Sequence, residues 1–165
     1  MTHRPFVMYP HKTLRTPAVP VVEITNDILA IWDEMIDVMD TMPGYGLAAP
    51  QLGIGLALVV VDASKKRGQA MRLANPVVLY SSVAPREHEE ASPNLPGVGA
   101  KVIRPRAVTV QFINADGVLD RHDFVGLWAT SVQHQIDHLA GKMYFDHLSR
   151  TKRDMLIRRA AKLRN

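Results

Sequence analysis

Hydrophobic residues between positions 28 and 42 recur every three or four residues, the spacing that places side chains on one face of an α-helix. Thr25, Asn26 and Asp27 precede this run with side chains suited to the start of a helix, and Pro43-Gly44 follows it with residues that end one. We therefore predict an amphipathic helix. Its buried stripe consists of Ile28, Ile31, Trp32, Met35, Met39 and Met42. Four prolines in the first 20 residues predict an extended arm before this helix.

The middle of the chain has the patterns of β-strands. Residues 56–61 form a continuous apolar run typical of a buried strand, and residues 76–80 form a second short candidate. Residues 108–112 alternate between apolar and polar side chains, which predicts a half-buried strand. The turn residues 114–117 then allow residues 118–123 to return as the second strand of a hairpin.

Helical spacing resumes at Phe124 and continues to Gly141, a residue type that commonly ends a helix. Ser149 or Thr151 can cap a last helix over about residues 151–164. The apolar positions of these two helices are Leu127, Trp128, Val132, Ile136 and Leu139 in the first and Met155, Leu156, Ala160 and Leu163 in the second. Helices combined with antiparallel strands define the α+β class. We expect residues 1–165 to form a single domain, because no linker or repeat divides them.

The composition narrows the chemistry that the chain can perform. Its 165 residues include no cysteine, which excludes disulfides, thiol nucleophiles and thiolate metal ligands. No apolar run approaches the ~18 residues of a membrane-spanning helix, and the first nine residues lack the apolar core of a secretion signal. We therefore expect a cytoplasmic protein that does not enter a membrane. The net charge of +4 is concentrated from residue 141 onward, where eight basic residues accompany two acidic ones.

Two histidines four residues apart are the most informative pair in the sequence. His134 and His138 fall on the predicted central helix, where this spacing places both side chains on one face, close enough to share a divalent metal ion. Metallohydrolases with this spacing carry a glutamate beside the first histidine, which takes a proton from metal-bound water. Gln135 occupies that position here, and an amide cannot act as a base. Taken alone, the pair would favour two histidines at chance spacing.

Two further motifs change that interpretation. Residues 44–51 (Gly-Tyr-Gly-Leu-Ala-Ala-Pro-Gln) are small enough for an extended peptide to approach, although such segments are also common as tight turns. Residues 90–97 read Glu-Ala-Ser-Pro-Asn-Leu-Pro-Gly. Together with residues 133–138, these segments resemble, in order and separation, the three motifs of the peptide deformylase family, G-x-G-L-A-A-x-Q, E-G-C-L-S and Q-H-E-x-D-H. The resemblance covers nearly the whole chain.

The resemblance implies antiparallel sheets around a central helix and removal of the formyl group from N-formylmethionyl peptides during translation. In the family, two histidines and a cysteine hold a divalent metal ion such as iron, zinc or nickel. Carried over to this chain, His134 and His138 are metal ligands and Gln51 polarises the formyl oxygen. The implied substrate-binding positions are Gly44, Tyr45, Gly46 and Glu90.

Three family positions are altered. Ser92 replaces the metal-binding cysteine with a neutral hydroxyl, a weaker ligand. Gln135 replaces the general-base glutamate, and Pro93 lacks the backbone N–H that completes the oxyanion site. Losing a base costs about 10²–10⁴-fold in rate, and losing an oxyanion donor costs about 10²–10³-fold. We therefore expect little or no deformylase activity, with metal bound weakly or not at all. The alternative is an active metal-dependent deformylase with an altered ligand set.

The pocket for the methionine side chain also departs from the family. By alignment, Thr130 and Ser131 occupy wall positions where apolar residues would suit methionine. Their hydroxyls either change the character of the pocket or bond back to the preceding helical turn, and the sequence leaves both possibilities open.

The basic C-terminal helix has two interpretations. Its cations form either a solvated helix face or, as the resemblance implies, a surface that contacts ribosomal RNA phosphates. The cations compatible with that contact are Arg158, Arg159, Lys162 and Arg164. No aromatic residue in this helix offers base stacking, so we do not expect sequence-specific nucleic-acid binding. The expected partners are peptide N-termini and the ribosome.

Overall fold

The computed structural model describes residues 3–164, and these residues contain three α-helices and seven β-strands. All strand pairs are antiparallel, and the strands form a five-stranded sheet in the order β1-β2-β3-β6-β7 and a separate hairpin of β4 and β5. The element bounds are α1 Asn26–Thr41, β1 Gly46–Ala48, β2 Leu58–Val61, β3 Met71–Ser81, β4 Pro85–Glu90, β5 Ala100–Pro105, β6 Ala107–Ile113, β7 Leu119–Val125, α2 Leu127–Leu139 and α3 Arg150–Arg164. The predicted α+β class is confirmed.

Helices α1 and α2 pack against the sheet through separate hydrophobic clusters. The stripe of α1, with Trp32 and Met35 fully buried, contacts β1 and β2. Helix α2 buries Ala129 and Val132 together with residues of β2, β3, β6 and β7. Thr25 caps α1 by accepting a hydrogen bond from the N–H of Ile28, as the pattern predicted. Helix α2 is therefore held against the sheet beside β1, so its histidines lie next to the glycine-rich segment.

A third cluster joins the N-terminal arm to the C-terminal helix. This cluster buries Leu14 of the arm, Phe145 of the segment between α2 and α3, and Leu156 of α3. Gly141 adopts φ +78, and a Cβ at that position would lie 2.7 Å from the carbonyl oxygen of Arg15. Only glycine fits this left-handed end of α2 beneath the arm. Among the helices of residues 3–164, none combines the length and hydrophobicity needed to cross a bilayer.

Several local expectations were wrong. Phe124 does not begin a helix; it belongs to β7, pairs with Val108 and is buried. Gly126, with φ +65, makes the change from strand to helix. The predicted stripe of α3 is only partly buried, because Met155 and Leu163 are exposed. The sequence interpretation also missed β1, β4 and β5, whose positions depend on pairing with distant strands.

Candidate active site

The two predicted metal-ligating imidazoles face each other on α2. The Nε2 atoms of His134 and His138 are 3.1 Å apart, and both side chains are buried. The ring of Tyr144 stacks on His134, with centroids 6.0 Å apart. The spacing of four residues on a straight helix thus produces the juxtaposition that the sequence predicted.

Glu90 orients the first imidazole. Its carboxylate oxygen Oε1 is 2.7 Å from Nδ1 of His134, and because a carboxylate only accepts hydrogen bonds, we assign the proton to Nδ1. Nε2 of His134 then presents its lone pair toward His138. A carboxylate that fixes the imidazole in this way is typical of the support around a metal-binding histidine.

Arg104 neutralises the buried Glu90. Its guanidinium donates from Nε and Nη2 to the two carboxylate oxygens, at 2.7 and 2.9 Å, and from Nη1 to Asp137 at 2.9 Å. Burial alone would raise the pKa of Glu90, but the hydrogen bonds from His134 and Arg104 outweigh it and lower the pKa to about 2. Glu90 therefore stays ionised and is committed to Arg104 and His134.

His138 is a neutral imidazole. Burial, reinforced by the positive charge of Arg104, holds the pKa of His138 well below its usual value. Its Nδ1 atom has no hydrogen-bond partner among the described residues. Burial also raises the pKa of Tyr144 to about 12, so that phenol stays protonated. A neutral imidazole is the form that binds metal ions.

Asn94 organises the opposite wall of the site. Its Oδ1 accepts a hydrogen bond from the side-chain amide of Gln51 at 2.8 Å and from the Ser92 hydroxyl at 3.1 Å. Its Nδ2 donates to the carbonyl oxygens of Val7 and Gln51. The Gln51 amide is further fixed by the N–H of Ala48. One amide hydrogen of Gln51 remains for a ligand oxygen, because Gln51 lines the cavity and Asn94 takes only the other.

Gln135 lies against the glycine-rich segment. A Cβ at Gly46 would lie 2.9 Å from Nε2 of Gln135 and 2.5 Å from the hydroxyl oxygen of Ser131, so glycine at position 46 leaves room for both side chains. The Oε1 atom of Gln135 is buried without a partner among the described residues. Gln135 and Pro93 both line the cavity, and neither supplies a basic carboxylate or a backbone N–H there.

These side chains surround a cavity of about 530 Å³. Ser131 donates to the carbonyl oxygen of Tyr45 at 2.8 Å, and Thr130 accepts from Arg86 at 2.9 Å. The Ser131 hydroxyl therefore bonds the glycine-rich segment rather than the preceding helical turn, and Thr130 is joined to Arg86. Eleven of the twelve positions singled out from the sequence line the cavity, and the twelfth, His138, contacts the lining residue His134. The eleven are Gly44, Tyr45, Gly46, Gln51, Glu90, Ser92, Pro93, Thr130, Ser131, His134 and Gln135.

The donor set fits a divalent metal ion in part. Two imidazole nitrogens 3.1 Å apart can both reach one ion at the usual bond length of about 2 Å. The third position, Ser92, is a neutral hydroxyl that already bonds the side chain and the N–H of Asn94. His134 and His138 are thus the residues that would hold an ion, and no thiolate completes the site.

An α+β arrangement with an H-x-x-x-H helix against an antiparallel sheet, and with a cavity beside both histidines, defines a narrow class of proteins. The family model for polypeptide deformylase matches residues 3–154. The chain belongs to the peptide deformylase family.

Individual relatives agree with that assignment. The chain is 39% identical over 164 residues to a peptide deformylase of Rhizobium meliloti, covering 98% of this chain and 94% of that protein. It is 37% identical over 171 residues to one from Methylocella silvestris, covering 99% and 87%. The fold matches a crystal structure of a peptide deformylase from Legionella pneumophila with a TM-score of 0.92 at 33% identity, over 99% of this chain and 96% of that one.

Sequence reasoning missed several residues that shape the site. Asn94 and Arg104 are buried polar residues that fix Gln51 and Glu90. Arg86 and His88 are not among the residues singled out from the sequence, yet Arg86 contacts the cavity wall at Thr130 and His88 lines the cavity. The alternation of residues 86, 88 and 90 along one strand was the available signal, because alternate residues share a face.

Proposed function

We propose that this protein binds the formylated N-termini of peptides in the cavity and removes the formyl group much more slowly than a deformylase with the complete family motifs. The single observation that carries this proposal is the contrast within one site. The supporting frame, Gln51, Glu90 and the imidazole pair, is present and joined by hydrogen bonds. The groups that perform the chemistry in the family are replaced at Ser92, Pro93 and Gln135.

A divalent ion held by His134 and His138 would supply a Lewis acid and a more acidic bound water. The residues of this chain contribute in other ways. Glu90 fixes the orientation of His134, and the second amide hydrogen of Gln51 is available to donate to a carbonyl oxygen of the ligand. Gln135 is an amide and cannot accept a proton from water as a carboxylate would. Pro93 has no backbone N–H and so cannot provide a second hydrogen bond to the formyl oxygen. The separate rate losses of about 10²-fold or more do not add within one site, so we expect turnover reduced by at least about 10³-fold.

The second candidate is an active deformylase with an altered ligand set. The relatives support it, since proteins 36–39% identical over nearly the whole chain are named peptide deformylases. The preformed imidazole pair also supports it, since burial keeps His138 neutral and ready to bind a metal ion. The two candidates share a ligand and differ in rate.

Formate release from formyl-Met-Ala-Ser distinguishes them. We would compare the protein supplied with Ni²⁺ with a variant that restores Ser92→Cys, Pro93→Leu and Gln135→Glu. A matched control restores only residues 92 and 93, which leaves the base missing. We expect turnover from the triple variant at least about 10³-fold above the unmodified protein, with the control far below it. Turnover by the unmodified protein within tenfold of the triple variant would establish the active alternative.

A ribosome contact through α3 is a separate proposal, consistent with a cytoplasmic protein that meets nascent chains. Helix α3 carries Lys152, Arg158, Arg159 and Lys162 along a groove beside Lys101, and no carboxylate among residues 3–164 lies within 4.0 Å of their charged nitrogens. Co-sedimentation with ribosomes should weaken steeply between 50 and 200 mM salt.

A charge-reversed pair tests that contact. Arg158→Glu with Arg159→Glu should abolish co-sedimentation. Lys65→Glu with Lys66→Glu, an exposed basic pair in the loop after β2, should leave it unchanged. Equal loss in both double variants would indicate a nonspecific charge effect and would contradict the assignment to α3.

A further inference from the structure

The inner face of β4 carries two polar residues that the deformylation scheme does not use. Arg86, His88 and Glu90 alternate along the strand and are more buried than their neighbours Glu87 and Glu89, so they share the face turned toward α2. Glu90 is committed to Arg104 and His134. His88 lines the cavity, and Arg86 lies behind the lining residue Thr130, to which it donates a hydrogen bond.

Arg86 reaches the cavity wall with most of its donors free. Its Nη1 donates to the hydroxyl of Thr130 at 2.9 Å, and Thr130 lines the cavity. No carboxylate among residues 3–164 lies within 4.0 Å of its guanidinium, and its partner across the strand pair is another cation, Arg104. A half-buried guanidinium without an anion is suited to bind a carboxylate, since its fork of N–H groups matches the two oxygens.

The other charges around the cavity do not compensate Arg86. Glu90 is neutralised by Arg104. Glu89 contributes to the rim, but its side chain is exposed, and its Oε1 lies 3.7 Å from the position of a Cβ on Gly99, across the hairpin. Met42 and Leu127 are among the apolar residues of the lining. This combination suits an unbranched side chain with an apolar stem and an anionic end.

We propose that the cavity selects peptides whose first side chain carries a carboxylate, glutamate above all, which Arg86 binds beside Thr130 and His88. Glutamate is unbranched, as methionine is, so a cavity shaped for one admits the stem of the other. This inference rests on the proposed function, because it takes a formylated peptide N-terminus as the ligand. It changes the substrate class and names Arg86 as the specificity-determining residue.

Calorimetric binding of three peptides, formyl-Glu-Ala-Ser, formyl-Gln-Ala-Ser and formyl-Met-Ala-Ser, tests the proposal on the intact protein. The first two differ only in charge. Because a hydrogen bond to a charged group stabilises by more than a neutral one, we expect the glutamate peptide to bind about tenfold or more tightly than the glutamine peptide. Arg86→Gln should remove this difference. Arg106→Gln, an exposed arginine in the turn after β5, is the matched control and should keep it.

A charge reversal keeps the test independent of folding defects. Arg86→Glu should bind formyl-Lys-Ala-Ser more tightly than the glutamate peptide, the opposite of the unmodified protein. If the methionine peptide binds best and Arg86→Gln leaves all three affinities unchanged, the selectivity is refuted while the proposed function stands. If none of the peptides binds, the proposed function is refuted, and this inference with it.

Discussion

At the scale of single residues, the absence of a side chain at position 46 decides how much room the cavity has. A Cβ there would lie 2.5 Å from the Ser131 hydroxyl and 2.9 Å from Nε2 of Gln135, so the substitution Gly46→Ala must displace both side chains, which line the cavity. Overpacking of this kind costs about 1–3 kcal/mol. We expect peptide affinity to fall at least about tenfold, measured by calorimetry with formyl-Met-Ala-Ser and formyl-Glu-Ala-Ser.

Gly55→Ala is the matched control for that substitution. Nothing lies within 4 Å of a Cβ at Gly55, so peptide affinity and the free energy of unfolding should both stay close to those of the unmodified protein. Unchanged affinity in Gly46→Ala would show that Gln135 does not border the bound ligand.

Glu90 is expected to be the most consequential carboxylate for stability. Glu90→Gln leaves the buried guanidinium of Arg104 with only Asp137, and breaking a buried ion pair by removing one partner costs about 3–5 kcal/mol. The measurement is urea unfolding at pH 7. Glu87→Gln, on the exposed face of the same strand, should change the free energy of unfolding by less than about 0.5 kcal/mol. Similar losses in both variants would contradict the special role of the buried pair.

The sequence predicted some site residues and missed others for a physical reason. His134 and His138 are four residues apart on one helix, so local geometry alone brings them together. Asn94 contacts Gln51 across 43 positions of sequence, and Arg104 contacts Glu90 across a hairpin that the hydrophobic pattern did not reveal. Such contacts depend on which distant segments the fold brings together, and local sequence patterns do not encode this.

At the scale of elements, the same distinction separates α1 from β4. The helix was predicted nearly to its ends, because its periodic stripe and its cap, Thr25, are local signals. Residues 85–90 are almost entirely polar, and they form a strand only because β5 pairs with them in register from Pro85 to Glu90. Phe124 shows the opposite error, since apolar spacing that suited a helix belonged to a strand buried against β6.

The arm and the segment after α2 are joined by one carboxylate. Asp146 accepts two hydrogen bonds from Arg15 of the arm and one from the N–H of Met143. Burial raises the pKa of Asp146, but these hydrogen bonds outweigh it and hold the pKa below the ordinary value of 3.8. A lowered pKa in the folded state stabilises the protein above pH 3.8, and this stabilisation is lost as the pH falls below that value.

We therefore expect Asp146→Asn to destabilise the protein by about 1–3 kcal/mol at pH 7 and by less at pH 3. The measurement is urea unfolding at both pH values. Asp116→Asn, in the exposed turn between β6 and β7, should have no pH-dependent effect. A destabilisation by Asp146→Asn that is the same at both pH values would contradict the ion pair with Arg15.

At the scale of the whole molecule, metal binding at the imidazole pair is measurable as thermal stability, because a ligand that binds only the folded state raises the Tm. For a chain of this size, each tenfold gain in affinity raises the Tm by about 3–6 °C once the ion is in excess. We expect Ni²⁺ to raise the Tm of the unmodified protein by less than about 2 °C, since two imidazoles and a neutral hydroxyl bind weakly.

Ser92→Cys adds a thiolate and should raise the Ni²⁺-induced increase in Tm well above that value. Ser81→Cys places a thiol on the exposed end of β3 and should behave like the unmodified protein. A large shift without the cysteine, lost in His134→Ala, would show that the chain completes its metal site with another donor and would favour the active deformylase.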